Sequence, residues 1–228
     1  MPTTDGTTDG TTHETATGEP QRPGAEQWVP AGGDVDALRD AAPACRGCEL
    51  WAPATQVVFS EGPADAAVML VGEQPGDKED LAGEPFVGPA GRVLHEALAA
   101  AGLDPEHVYV TNAVKHFRFE QRGKRRIHRT PLVTHLRACV PWLEAELAAV
   151  RPRVVVALGA TAGRAVLGRT VAVGAERGRV VEADGDRPPV VVTAHPSSVL
   201  RLRERAEREA ATAAIVADLR VAARAAAG

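Results

Sequence analysis

Four short apolar runs punctuate the chain: Ala67–Gly72, His107–Val114, Arg153–Gly159 and Val190–Thr193. Each is near-continuously hydrophobic rather than alternating, the pattern of a strand buried on both faces. Between them apolar positions recur at helical spacing. Arg92–Ala101 reads as an amphipathic helix ended by Gly102, and Ala160–Leu167 as a short helix. Thr134–Val150 reads as a longer one, with Pro141 tolerable only near its start or at a kink. Asp34–Ala42 is a further helix start, running into Cys45-Arg46-Gly47-Cys48. After the last run, Ser197 or Ser198 is placed to cap a long terminal helix reaching about Ala225. The Gly/Pro-rich stretch Glu73–Gly91 and the basic stretch after Val114 are expected to be loops. Strands alternating with helices predict an α/β fold, a parallel sheet in a three-layer α/β/α sandwich. In such folds the chemistry gathers in loops past the carboxyl ends of the strands.

The chain has 228 residues and a mass of 23.9 kDa, 44% hydrophobic and 25% charged, which suits one ordinary domain with extras. No apolar run approaches the roughly 20 residues that cross a bilayer. The polar stretch Met1–Gly24 lacks the basic-then-apolar start of a signal peptide. A cytoplasmic protein without a membrane partner is therefore expected. The Thr-, Gly- and acid-rich beginning cannot bury enough surface to offset its ordering entropy. Residues 1–33 are accordingly read as a disordered acidic tail and 34–228 as the folded domain. No coiled-coil pattern or excess apolar patch calls for an oligomer, and a monomer is expected.

A net charge of −4 hides a polarity along the chain. Residues 1–40 carry eight acids against Arg22 and Arg39. Residues 115–137 carry Lys115, Arg118, Arg122, Lys124, Arg125, Arg126, Arg129 and Arg137 against Glu120 alone. A local field of that sign draws a polyanion whatever the net charge.

Three polar motifs sit at the predicted strand ends: Gly72-Glu73-Gln74-Pro75-Gly76-Asp77, Thr111-Asn112-Ala113-Val114-Lys115-His116 and Ala194-His195-Pro196-Ser197-Ser198. Separate loops converging on one sheet edge mark an active site. In this order, each after a strand, the motifs resemble the uracil-DNA glycosylase superfamily, in its iron–sulfur family-4 branch. Lys124-Arg125-Arg126-Ile127-His128 resembles the insert of the UdgX subgroup. The resemblance covers roughly residues 35–225. It implies the sandwich of uracil-DNA glycosylase type and a substrate of uracil-containing DNA, preferably single-stranded.

The cysteines number three, Cys45 and Cys48 as C-x2-C and Cys139 on a predicted helix. Taken alone they could be buried thiols. His135, four residues before Cys139, could complete a zinc site with all three. Family-4 enzymes hold a [4Fe–4S] cluster on four cysteines, and the resemblance aligns His116 with the third. Imidazole can replace thiolate on iron, so the resemblance implies Cys45, Cys48, His116 and Cys139 as ligands, with a structural role.

A glycosylase must take its base out of the stack. Phe86 is the candidate stacking ring, and Asn112 offers one donor and one acceptor to the uracil edge. Backbone N–H groups around Gln74 are expected to hold uracil O2. Cleavage passes through an oxocarbenium-like sugar. Glu73 matches the family's acid, with Asp77 as the nearby alternative. His195 resembles the histidine that contacts the departing uracil, and Ser197 is a candidate phosphate donor that also suits a helix cap. In UdgX-like proteins the histidine corresponding to His128 bonds to C1′ and stays attached. Like charge from Lys124, Arg125, Arg126 and Arg129 is expected to keep that imidazole neutral while the same side chains hold phosphates. The expectation is a single-turnover uracil-DNA glycosylase. A multiple-turnover family-4-like enzyme and a non-catalytic, metal-dependent nucleic-acid-binding module are the alternatives.

Overall fold

A computed structural model describes residues 22–183, 185 and 187–228. Six strands form one sheet in the order β1 (Ser60–Glu61), β3 (Val108–Asn112), β2 (Val68–Gly72), β6 (Val154–Leu158), β8 (Val190–Thr193), β7 (Val180–Val181). The four central strands run parallel, and the two short edge strands are antiparallel to them. The central strands are buried throughout. Alternate residues separate cleanly into two cores. Met69, Val71, Tyr109, Val155 and Ala157 face one side, packed on α1 (Val35–Ala41), α4 (Val133–Val150) and α5 (Ala160–Leu167). Val68, Leu70, Val110, Val156 and Leu158 face the other, against α3 (Pro89–Ala101) and α7 (Arg205–Ala227). The predicted α/β/α sandwich is thus the fold.

Local signals explain most boundaries. Asp34 caps α1 by accepting from the Ala37 N–H, and Gly102 ends α3 in the left-handed region at φ 81°. Three expectations need correction. Glu73–Gly91 is not all loop: it holds a short helix, α2 (Asp77–Ala82), between Gly76 and a left-handed Gly83. The basic stretch is a hairpin, β4 (Phe119–Arg122) with β5 (Arg125–His128), whose strands pair only with each other. The terminal helix begins later, because Pro196–Arg201 forms a 3-10 turn capped by the His195 side chain rather than a serine-capped helix. Helix α4 also runs straight through Pro141 in its middle. A four-residue helix, α6 (Val173–Glu176), precedes β7.

Part of the predicted tail belongs to the folded body. Ala25 is buried, the Gly24 N–H donates to the Gly47 carbonyl at 3.1 Å, and Arg22 pairs with Glu49. The rest of that expectation, residues 1–21, lies outside the described residues.

Candidate active site

The carboxyl ends of the parallel strands open into a cleft of about 760 Å³. It brings together Glu73 and Gln74 after β2, Asn112 at the end of β3, and His195 and Ser197 after β8. His128 joins them from the last position of β5. Asp77 and Phe86 also line it, whereas Lys124, Arg125, Arg126 and Arg129 do not.

At the cleft floor Asn112 is 2% exposed, and its Oδ1 has no hydrogen-bond partner. A buried acceptor left free is rare unless something else binds it. Gly72, opposite, must be glycine, because a Cβ there would collide with Asn112 Oδ1 and the Phe86 ring. Phe86 adopts φ 56°, unusual for a bulky residue, and its ring lies 6.2 Å from that of His195 at a 28° tilt. Buried Glu79 holds this loop by accepting the Gly88 N–H at 3.0 Å. Gly91 lets the chain pass against the Phe86 carbonyl, where any Cβ would overlap. Gly91→Ala is therefore expected to lower stability by about 1–3 kcal/mol and displace Phe86. Thermal unfolding and the crystal structure of the variant check this.

Glu73 is aimed by a residue that sequence reasoning missed. The Thr161 hydroxyl, at the start of α5, donates to Glu73 Oε2 at 2.5 Å. The other oxygen, Oε1, lies 3.6 Å from His128 Nε2. The signal was topological: β6 is parallel to β2, so its following loop opens at the same sheet edge. Arg201, also missed, reaches the cleft and donates to Ser197 Oγ at 3.3 Å.

Gln74 acts with its side chain. Its carbonyl accepts the Arg118 N–H at 3.1 Å, while its amide nitrogen donates to the Arg118 and Arg129 carbonyls at 3.2 Å each. The same nitrogen is 3.0 Å from His128 Nε2. One carboxamide thus ties the base of the hairpin, and its histidine, to the loop after β2. The His128 ring stands above buried Phe117, with centroids 5.9 Å apart.

The histidine electrostatics differ from the expected ones in cause. His128 is held below the ordinary imidazole range chiefly by burial, with a contribution from Arg201, against an upward pull from Glu73. The neighbouring hairpin cations are not what holds it down. Arg126 is taken up by Asp77 at 2.6 Å and Asp80 at 2.5 Å, and Arg129 by Glu120. Asp77, the alternative acid, is therefore a latch for the hairpin rather than a free carboxylate. Lys124 and Arg125 sit exposed at the hairpin turn. Lys115, counted with the basic loop, is buried in a pair with Glu146. His195 is pushed down to about 4, first by burial and then by His128 and Arg201. Its Nδ1 accepts the Ser197 N–H at 3.1 Å, which leaves the ring proton on Nε2. Ser197 Oγ is 2.8 Å from the same Nδ1, so its hydroxyl serves the histidine and Arg201.

A second, enclosed cavity is lined by Cys45, Cys48, His116 and Cys139. All three cysteines are buried and free. The Trp142 indole N–H donates to Cys45 Sγ at 3.3 Å and the Lys115 backbone N–H to Cys139 Sγ at 3.4 Å. Burial pushes the Cys48 thiol up to about 11 and the Cys139 thiol up to about 12, and His116 down to about 4. Thiolates here need a cationic group to balance them. His135 lies elsewhere: its Nδ1 accepts the Leu132 N–H at 3.0 Å and its Nε2 is 2.8 Å from Glu49 Oε1. That takes His135 out of the zinc arrangement. Among the described residues no three donors converge to hold a single ion. Three thiols and an imidazole around one cavity are a donor set whose chemistry suits an iron–sulfur cluster.

Residues 59–220 match the family model of the uracil DNA glycosylase superfamily, and the chain belongs to that superfamily. It is 39% identical over 160 residues to a Type-4 uracil-DNA glycosylase of Thermotoga maritima, covering 70% of this chain and 79% of the relative. A Type-4 enzyme of Archaeoglobus fulgidus is 36% identical over 174 residues, 72% of this chain and 84% of that one. A Type-5 uracil-DNA glycosylase of Pyrobaculum aerophilum is 36% identical over 167 residues, 65% and 69% of the two chains.

Proposed function

We propose that this protein excises uracil from DNA, preferably single-stranded, and keeps the abasic sugar bonded to His128, so that each molecule acts once. The observation that carries the reading is His128 Nε2, inside the cleft and 3.6 Å from Glu73 Oε1. Family membership supports the glycosylase chemistry; the position of His128 supports the capture.

The residues divide the work as follows. An extruded uracil enters beside Phe86, its N3–H meeting the free Oδ1 of Asn112 and its O4 the Asn112 amide. Asn112 lies too deep for a base still in its stack, which favours single-stranded or flipped substrate. As the C1′–N1 bond breaks, its electron pair leaves with uracil, and the His195 Nε2–H donates to the charge gathering on O2. Glu73 stabilises the cationic sugar. The His128 Nε2 lone pair then bonds to C1′, and the imidazole returns to neutrality by losing its Nδ1 proton to solvent. The product is an N-glycosyl imidazole with no good leaving group. An iron–sulfur cluster held by Cys45, Cys48, His116 and Cys139 would be structural, tying the segment after β3 to α4 and the first cysteine loop. Gln74, Asp77 and Arg126 hold the hairpin, and Ser197 and Arg201 support His195. The exposed Lys124 and Arg125 would meet the DNA backbone, joined by Arg129 when phosphate displaces Glu120.

The test is direct. Incubated with a uracil oligonucleotide, the protein gives a complex that survives heat and SDS, and a thymine oligonucleotide gives none. Abasic product in excess of enzyme, with no such complex, would establish multiple turnover instead. Retained uracil discrimination with no cleavage would make the protein a binding module.

A pH prediction follows from burial. His195 is pushed down to about 4 and His128 lies below its ordinary range, so both rings take up protons at lower pH than a free imidazole. Single-turnover capture should therefore begin to fall only below the ordinary imidazole range near pH 6.5. An inflection at 6.5 or above would show that the cleft does not preset the nucleophile.

A further inference from the structure

We infer that Lys115 is a positioning residue for base recognition: from the wall of the cysteine cavity it fixes the peptide of Asn112 and hence the aim of the uracil-reading carboxamide. The inference rests on the reading of Asn112 given above and extends it to a residue that touches neither DNA nor base.

Lys115 is 1% exposed, and its ammonium has three protons and three acceptors. These are Thr111 Oγ1 at 2.6 Å, the Asn112 carbonyl at 2.9 Å and Glu146 Oε2. Glu146 is fully buried, and its other oxygen accepts the Thr111 hydroxyl at 2.8 Å and the Tyr109 hydroxyl at 3.0 Å. The network is complete, as a buried one must be to persist. Yet stability does not explain it, because a buried ion pair is often matched or bettered by apolar side chains of similar volume. What the ammonium adds is direction.

Asn112 needs that direction. Its Oδ1 has no protein partner, so nothing at the tip of the side chain orients it. It is the last residue of β3, paired with Gly72, and the next two residues leave the strand while still donating to the Gly72 and Glu73 carbonyls. The peptide that follows Asn112 is held at both ends, its N–H on the Gly72 carbonyl at 2.9 Å and its carbonyl on the Lys115 ammonium at 2.9 Å, and that plane sets the Cα–Cβ vector. The main chain of Lys115 is itself pinned. Its N–H donates to Cys139 Sγ at 3.4 Å, and its carbonyl accepts the Val58 N–H at 2.9 Å. His116 follows directly on the cavity wall. Cys139 and Glu146 lie two turns apart on α4, so one helix supports both ends of this residue.

The experiment separates base reading from DNA binding and from folding. Lys115→Met/Glu146→Met removes both charges together, so that neither is left buried without its counter-charge. Free uracil is titrated calorimetrically, and a uracil-free single-stranded oligonucleotide is titrated by fluorescence anisotropy. Visible absorbance and thermal unfolding report the cysteine-site group and the fold. The expected result is at least a tenfold loss of free-uracil affinity, with oligonucleotide affinity within twofold of the parent and the absorbance retained. Thr111→Val, a milder change that takes away one acceptor, should lose about threefold for free uracil and serves if the double variant does not fold. Free-uracil affinity within twofold of the parent, in a folded double variant or in Thr111→Val, overturns the inference and leaves the reading of Asn112 standing. Failure of the parent protein itself to bind or excise uracil overturns both.

Discussion

His128→Ser is expected to abolish the heat- and SDS-stable complex proposed with uracil DNA while uracil release continues, so that abasic product rises above one equivalent of enzyme. The serine hydroxyl is shorter than the imidazole and has no adjacent base to activate it, whereas water can enter the vacated space beside Glu73. The hairpin keeps its seat, because Gln74 still bonds the Arg118 and Arg129 backbones and Arg126 still pairs with Asp77 and Asp80. The loss is therefore of the nucleophile alone. Denaturing gels quantify the adduct, and chromatography of released uracil quantifies turnover. A persistent adduct in the serine variant would place the attacking atom elsewhere.

Glu73→Gln is the second large effect, a fall of about 10²–10³ in the single-turnover rate of uracil release, the scale of losing one aimed electrostatic partner in a closed site. Glutamine is the informative replacement, since its carbonyl oxygen can still accept from the Thr161 hydroxyl and only the charge is lost. The change cannot be ascribed to protonating His128, because Glu73 is the main influence raising that imidazole's affinity for protons. Rapid-quench measurements on a uracil oligonucleotide check the prediction. A decrease of less than tenfold would remove Glu73 from the chemistry.

Periodicity carried the interior of the molecule and faltered where side chains meet across distance. Helix α5 and strand β8 fall on the residues expected from sequence, because buried parallel strands and a short helix ended by Gly168 leave an unmixed pattern. Helix α2 escaped because Gly76 and Gly83 read as loop, although here they punctuate a single helical turn and a half. The hairpin escaped because its strands bear arginines on both faces, leaving only Gly123, at φ 59°, as a turn signal. That Glu73, Asn112, His128 and His195 meet in one cleft was legible, since a strand end fixes three of them and a motif the fourth. Their supports were not. Arg126 and Asp80 are 46 residues apart, and Thr161 lies 88 from Glu73. No local pattern announces such pairs.

The β4–β5 ribbon has a consequence beyond the reaction. Its strands bond to each other and not to the sheet, and its polar anchors on the rest of the molecule include Gln74, Thr55 and the two aspartates of α2. The six-stranded sheet is therefore complete without it. Under the proposed function the ribbon would be a detachable cassette: a related scaffold carrying the same anchor side chains is expected to accept it by grafting, and trimming it here is expected to leave excision without capture.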